Sequence, residues 1–205
     1  MSGALFNYYD PDLVDAGFVE GIYPAHIVKL ESKSDIIVKQ KHLAIIYNLT
    51  LRVAPDVTSY TYTSITDDGE KKIKGDNYIG KEIKSSGLFF FITPTKSTHR
   101  HLFPNAGGNR RYYEFLRMIG VECPEKSIEI AGSTKAKPLK KKLPVLPYLS
   151  LSDVMGKPVL AVVRKSEWEG TDKDGNPAKF HTHKAFNFEP WLDGQDLDIE
   201  EPLPF

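Results

Sequence analysis

The chain has 205 residues, 40% of them hydrophobic and 26% charged, with a formal net charge of zero; this is the composition of a globular protein of one domain plus appendages. It is long enough to bury a sizeable core, and no run approaches the ~18 uninterrupted apolar residues of a membrane span. A single cysteine, Cys123, excludes an internal disulfide framework and an all-cysteine zinc site. Asn48-Leu49-Thr50 is therefore read as an accidental sequon, and the start, MSGALFNYYDPD, lacks the basic and apolar regions of a secretory signal, so a cytoplasmic location is expected.

After a polar and aromatic leader (1–16), 19–30 and 39–53 read as extended. In the second, Leu43, Ile45, Tyr47, Leu49, Leu51 and Val53 alternate with polar and basic residues, the period of a strand with one buried face. Ala54-Pro55 opens a polar stretch with Tyr60, Tyr62 and the turn signal Asp68-Gly69, expected to form a long loop or hairpin. A third extended region, 78–92, breaks at Ser85-Ser86-Gly87 and ends in Leu88-Phe89-Phe90-Phe91-Ile92, whose aromatic density suits a strand buried on both faces.

One clear helix follows at 109–120. Asn109 can cap it and Gly120 can stop it, while Tyr112, Phe115, Leu116 and Ile119 share one face that should dock on a sheet. Residues 132–150, with three prolines and five lysines, read as an exposed linker or loop. A helical turn at 151–155, a strand over 157–168, a turn at 171–177 and a last strand over 179–188 complete the chain, and no internal repeat is visible. Three extended segments, a helix and two strands is the order of the five-stranded OB barrel. The expected fold is all-β with one main helix: an OB-fold-like barrel over 17–188, decorated by long loops at 54–77 and 132–150, with a disordered acidic tail over 189–205.

Zero net charge hides an asymmetry. Residues 189–205 hold six acids and no Lys or Arg, which leaves a net +6 on residues 1–188. A basic body with an acidic tail points towards a polyanion, with the tail competing for it or seeking another partner.

From Gly17 to Trp191 the pattern resembles phage-encoded single-stranded-DNA-binding proteins with an OB fold, a group that includes a phage domain of unknown function. The matching pieces are FVEGIYPAHIVKLESKS, HLAIIYNLTLRV, RRYYEFLRMIGVE and LSDVMGKPVLAVVRKSEWEGTDKDGNPAKFHTHKAFNF, in that order, with a longer insertion at 132–150 than the family suggests. The ending DLDIEEPLPF is similar to the acidic C-terminal tip of bacterial single-stranded-DNA-binding proteins, which docks on replication, recombination and repair enzymes. The resemblance implies non-specific coating of single-stranded DNA in phage replication or recombination, within the host cytoplasm. It also implies that Asp196, Asp198, Glu200, Glu201, Pro204 and Phe205 recruit a polymerase, primase or helicase; a solvated acidic terminus is the plainer reading of the same residues.

Binding single strands without sequence preference needs cations along the phosphates and flat side chains on which bases stack. Tyr60 and Tyr62 share a face of an extended chain close to Lys71, Lys72 and Lys74, and Arg52 lies on the polar face of its strand. Arg164 and Trp168 share a face, as do Phe180, Thr182, Lys184 and Phe186, with His181 and His183 on the opposite one. Arg100, Arg110 and Arg111 add charge near the helix start, and His183 joins the candidate set. Core packing is the alternative for Phe180 and Phe186, and a solvated face for each lysine.

His99-x-His101 and His181-x-His183 could each offer two imidazoles to zinc, but the only thiolate is that of Cys123 and no CxxC or HExxH spacing occurs. No metal and no cofactor is expected. There is no phosphate loop and no GxSxG elbow, and the pairs Asp67-Asp68 and Glu200-Glu201 fall in a turn and the tail; an enzyme is not expected. The second functional reading is a virion structural or assembly protein whose β-barrel binds other subunits. Homo-oligomerisation is left open by the sequence.

Overall fold

The computed structural model describes residues 17–38, 42–66, 69–92, 109–129, 140–172 and 174–198. In chain order the elements are β1 (Gly21–Val38), β2 (His42–Val53), β3 (Thr61–Thr66), β4 (Gly69–Lys74), β5 (Glu82–Lys84), β6 (Leu88–Phe91), α1 (Asn109–Met118), β7 (Glu125–Glu129), β8 (Lys140–Pro144), α2 (Leu151–Val154), β9 (Pro158–Thr171) and β10 (Pro177–Glu189). Turns of 3-10 helix at Pro55–Ser59 and Gly75–Tyr78 flank the β3–β4 hairpin.

The main sheet has the order β10-β9-β1-β2-β5, and β6 also pairs with β2. Alternation along β2 buries Tyr47, Leu49, Leu51 and Val53, as their spacing requires, and sends Asn48, Thr50 and Arg52 outward. Residues 31–38, which the sequence leaves between strands, continue β1: the ladder with β2 runs to Val38↔His42 through a register shift after Lys33. Pairing satisfies backbone groups that a loop would leave to water.

The expected closed barrel is not formed. All-β with one main helix holds, but the sheet is open: β10 and the segment after β5 meet at one isolated parallel bridge, Ser85↔Ala185, with Ser86 N–H donating to the Ala185 carbonyl at 2.9 Å. β5 is three residues long, and the break at 85–87 stops any ladder from propagating along β10. Element order resembles a barrel, but closure requires a continuous ladder that this break interrupts.

Two aromatic clusters fill the inward side. At one end Tyr62, on β3, stacks on Tyr23 at 4.2 Å, and Phe18 stacks on Tyr78 at 5.2 Å. At the other, Tyr112 of α1 lies 4.6 Å from Phe90 and 5.7 Å from Tyr47. Tyr112, Phe115, Leu116 and Ile119 are all buried, so the helical spacing read from the sequence is the docking face. Asn109, expected as a cap, is the first residue of α1, and its side chain acts across the tertiary fold. Its side-chain amide accepts from Phe91 N–H at 2.8 Å and donates to Phe91 C=O at 3.0 Å, clamping the end of β6.

The segment read as an exposed linker is in part core. Its residues 140–144 form β8 against β7, and Leu143, Leu146 and Leu149 are buried; Tyr112 OH donates to Pro147 C=O, and Leu149 N–H donates to Tyr47 OH. The prolines exclude a helix but leave the leucines free to pack. Among the described residues no helix is long and apolar enough to cross a membrane.

Burial holds the phenols of Tyr23, Tyr62 and Tyr112 above their ordinary value of about 10, and neighbouring tyrosines raise them further. A raised folded-state value means stability that is fully present below pH ~10 and lost as pH rises through the folded-state values, because the unfolded chain releases these protons first. The urea midpoint should therefore be flat near neutrality and fall above pH ~10, with the phenolate absorbance of these tyrosines appearing only as the fold is lost. Complete phenolate formation with native circular dichroism intact would refute their burial.

Candidate nucleic-acid interface

Residues paired across an antiparallel ladder share a face, so register alone maps the outward side of the sheet. Its rows are His26, Arg52 and Glu82; Lys29, Thr50 and Lys84; Glu31 and Asn48; Lys33, Ile46 and Phe89; and Ile36, Ala44 and Phe91. Phe89 and Phe91 are half-buried and stack on each other at 6.1 Å with their planes 18° apart, and the Asn109 clamp fixes the backbone of Phe91. The sequence reading misses this pair. An unbroken aromatic run suggests burial on both faces, whereas Leu88 and Phe90 take the core and their alternates cover the outward side; the period-2 rule within 88–91 puts Phe89 and Phe91 on one face but does not say which face is outward.

Four cations and two carboxylates occupy this face. Glu31 is held by Lys29 at 2.6 Å, which keeps its carboxyl below the ordinary value, with Lys84 and Lys33 acting in the same direction. Glu82 is held by Arg52 at 3.2 Å. Lys33 and Lys84 have no ion-pair partner among the described residues. Lys33 lies across β2 in the row of Phe89, and Lys84 lies two rows further along the face.

The outward side continues onto a ribbon. β9 pairs with β1 only from Pro158 to Val163, so beyond Arg164 the strands β9 and β10 run on as a two-stranded arm. Its outward face brings together Arg164 with Lys184, Ser166 with Thr182, and Trp168 with Phe180, without a carboxylate. The Trp168 and Phe180 rings stack at 5.9 Å, and Trp168 is 47% exposed. The arm turns at 172–176, where the Asp172 carboxylate accepts from the backbone N–H groups of Asp174 and Asn176, bonds that hold its carboxyl below the ordinary value. His183 is on the other face, opposite Lys165, with His181 and Glu167 beside it, so it does not join Trp168.

The remaining expected residues divide. Tyr62 is a core residue, 5% exposed, its hydroxyl donating to Ile22 C=O at 2.8 Å; it is closed to a base because the β3–β4 hairpin folds this face onto β1. Tyr60 stacks on it at 6.3 Å and is half-buried. Lys71, Lys72 and Lys74 are exposed on β4 and line a cleft of about 530 Å³. Arg110 is tied to Glu114 at 2.8 Å within α1, and partial desolvation lowers the Arg111 guanidinium. Both belong to a helix packed on the inward side, so neither joins Phe89. Arg100, Glu200, Glu201, Pro204 and Phe205 lie outside the described residues.

The expected free tail makes contacts with the body as far as Leu197. Trp191 packs against His26, whose Nε2 lies 3.0 Å from the Gln195 carbonyl; Leu197 N–H donates to Gly156 C=O, and Asp196 pairs with Lys157. Acidic composition predicts solvation, but Trp191 and Leu197 supply contacts that composition does not weigh. Asp198 is exposed. Among the described residues no group of three or more His, Cys, Asp or Glu could hold a metal ion. Burial pushes the Cys123 thiol up, against thiolate character. No family model, curated protein or solved structure matches this chain.

Proposed function

We propose that this protein binds single-stranded DNA without sequence preference, coating it along the outward side of the sheet during replication or recombination. The observation that carries the reading is the stacked pair Phe89 and Phe91 on the same sheet face as Lys33, in the row of Phe89, and Lys84, two rows away. Bases unstacked from a single strand can lie on such rings while the ammonium groups track the phosphates; a duplex keeps its bases inside. The ribbon repeats the chemistry with Trp168, Phe180, Arg164 and Lys184. The end of the chain, with Phe205, is assigned to recruiting replication or recombination enzymes, on the strength of its sequence alone.

The test is fluorescence anisotropy of labelled oligo-dT against a duplex of equal length at two salt concentrations. Single strands should bind in preference, with affinity falling as salt rises. Trp168→Ala should weaken binding about 5- to 150-fold, the loss of one stack of ~1–3 kcal/mol, with little change in Tm because the ring is half exposed. Absence of binding at low salt would overturn the reading in favour of a protein-binding role.

A further inference from the structure

The cleft beside β4 is separate chemistry from the stacking face. Its walls carry Lys71, Lys72, Lys74 and Lys81, with Asp76 as the one carboxylate. Among the described residues Lys71, Lys72 and Lys74 have no ion-pair partner, so their ammonium groups are not committed to a carboxylate of the described chain.

The frame that holds these lysines is rigid. β4 is paired residue by residue with β3, from Thr61↔Lys74 to Thr66↔Gly69. The chain then turns against backbone: Gly75 N–H donates to Tyr60 C=O at 2.9 Å, and a Cβ at Gly75 would lie 1.7 Å from the Val57 carbonyl oxygen, so no side chain fits there. Lys81 is fixed at both backbone groups, its N–H donating to Tyr78 C=O and its C=O accepting from Val53 N–H, each at 3.0 Å. Its ammonium lies 5.4 Å from the centre of the buried Tyr78 ring. Lys72 and Lys74 share one face of the hairpin and Lys71 lies on the other beside Ile73; together with Lys81 they line a cavity of about 530 Å³, an excess of positive charge that suits a multiply charged anion. No exposed aromatic platform lines the cleft, since Tyr78 is 1% exposed, so the chemistry selects phosphate and leaves bases unread.

We propose that this cleft is a phosphate-binding site that takes a run of consecutive phosphates. The phosphates come either from the backbone of a nucleic-acid strand, in which case the assignment rests on the function proposed above, or from the phosphate chain of a free nucleotide.

The probe is inorganic tripolyphosphate, titrated calorimetrically into the full chain at low ionic strength. Wild type should bind it, and Lys71→Ala/Lys72→Ala/Lys74→Ala should bind at least tenfold more weakly with an unchanged Tm. Lys126→Ala/Lys142→Ala, on β7 and β8 away from the cleft, should bind like wild type. No binding by wild type, or equal binding by wild type and the triple variant, overturns the site. The source is read separately: competition between tripolyphosphate and oligo-dT, with the salt slope of oligo-dT binding reduced by about 2 in the triple variant, assigns backbone phosphates. Tight ATP binding with oligo-dT binding unaffected assigns a nucleotide. Phe89→Leu/Phe91→Leu should leave tripolyphosphate binding intact, so failure of the stacking face and failure of the cleft are distinguishable.

Discussion

Phe89→Leu/Phe91→Leu is expected to lower affinity for oligo-dT by about one hundredfold or more while leaving the protein folded. Each base stack is worth roughly 1–3 kcal/mol, and ~1.4 kcal/mol is a factor of ten, so two lost stacks reach that size even if they are not fully additive. Leucine is chosen over alanine because both rings also cover the sheet: Phe89 is paired in register with Ile46, and Phe91 with Ala44. An aliphatic replacement keeps most of that cover and removes the flat π surface. The measurement is anisotropy with oligo-dT, alongside thermal melts. Unchanged affinity in a folded variant would remove the outward face from the interface. A large fall in Tm with unchanged affinity would return both rings to a packing role.

Tyr62→Ala is expected to do the reverse, costing ~3–5 kcal/mol of stability, the usual range for removing a buried aromatic. In a chain of this length that is a fall in Tm of roughly 6–20 °C. The ring stacks on Tyr23 at 4.2 Å and meets Tyr78 edge-on at 5.3 Å, and its hydroxyl satisfies the Ile22 carbonyl. Tyr62→Phe isolates the hydroxyl and should cost about 1 kcal/mol. At temperatures where Tyr62→Ala remains folded, its affinity for oligo-dT should match wild type. A stable variant with weakened binding would place the Tyr62 ring at the interface and contradict its burial.

These two predictions mark where local pattern is informative and where it is not. The period along 43–53 identifies the strand and the residues on each of its faces, and the spacing of Tyr112, Phe115, Leu116 and Ile119 identifies the docking face of α1. Period 2 likewise places Arg164 with Trp168, and Phe180 with Lys184; register then joins the two sets on one side of the ribbon. Tyr60 and Tyr62 stack on one another as a shared face requires, but that face points inward rather than to solvent. For Leu88 to Phe91 the difficulty is different, because both alternate sets are large and apolar and hydrophobicity cannot rank them.

Residue chemistry also misleads where a partner lies far along the chain or nearby in space. Arg110 offers charge in the sequence, but Glu114 one turn later neutralises it. The acidic stretch after Glu189 suggests solvation, yet its Trp191 and Asp196 find His26 and Lys157 on the body. Barrel closure fails for a comparable reason: strand order is written in the chain, while the ladder between β10 and β5 depends on whether two segments a hundred residues apart extend side by side.

The sequence by itself determined the all-β character, the single main helix and the sets of residues that share each face, because side-chain direction follows from backbone period and is local. Only the tertiary structure decided which faces are covered, that Tyr62 is in the core while Phe89 and Phe91 lie half-buried on the opposite side of the sheet, and that the sheet stays open. Covering a face requires apolar area supplied by elements distant in the chain, and no local period encodes where they come to rest.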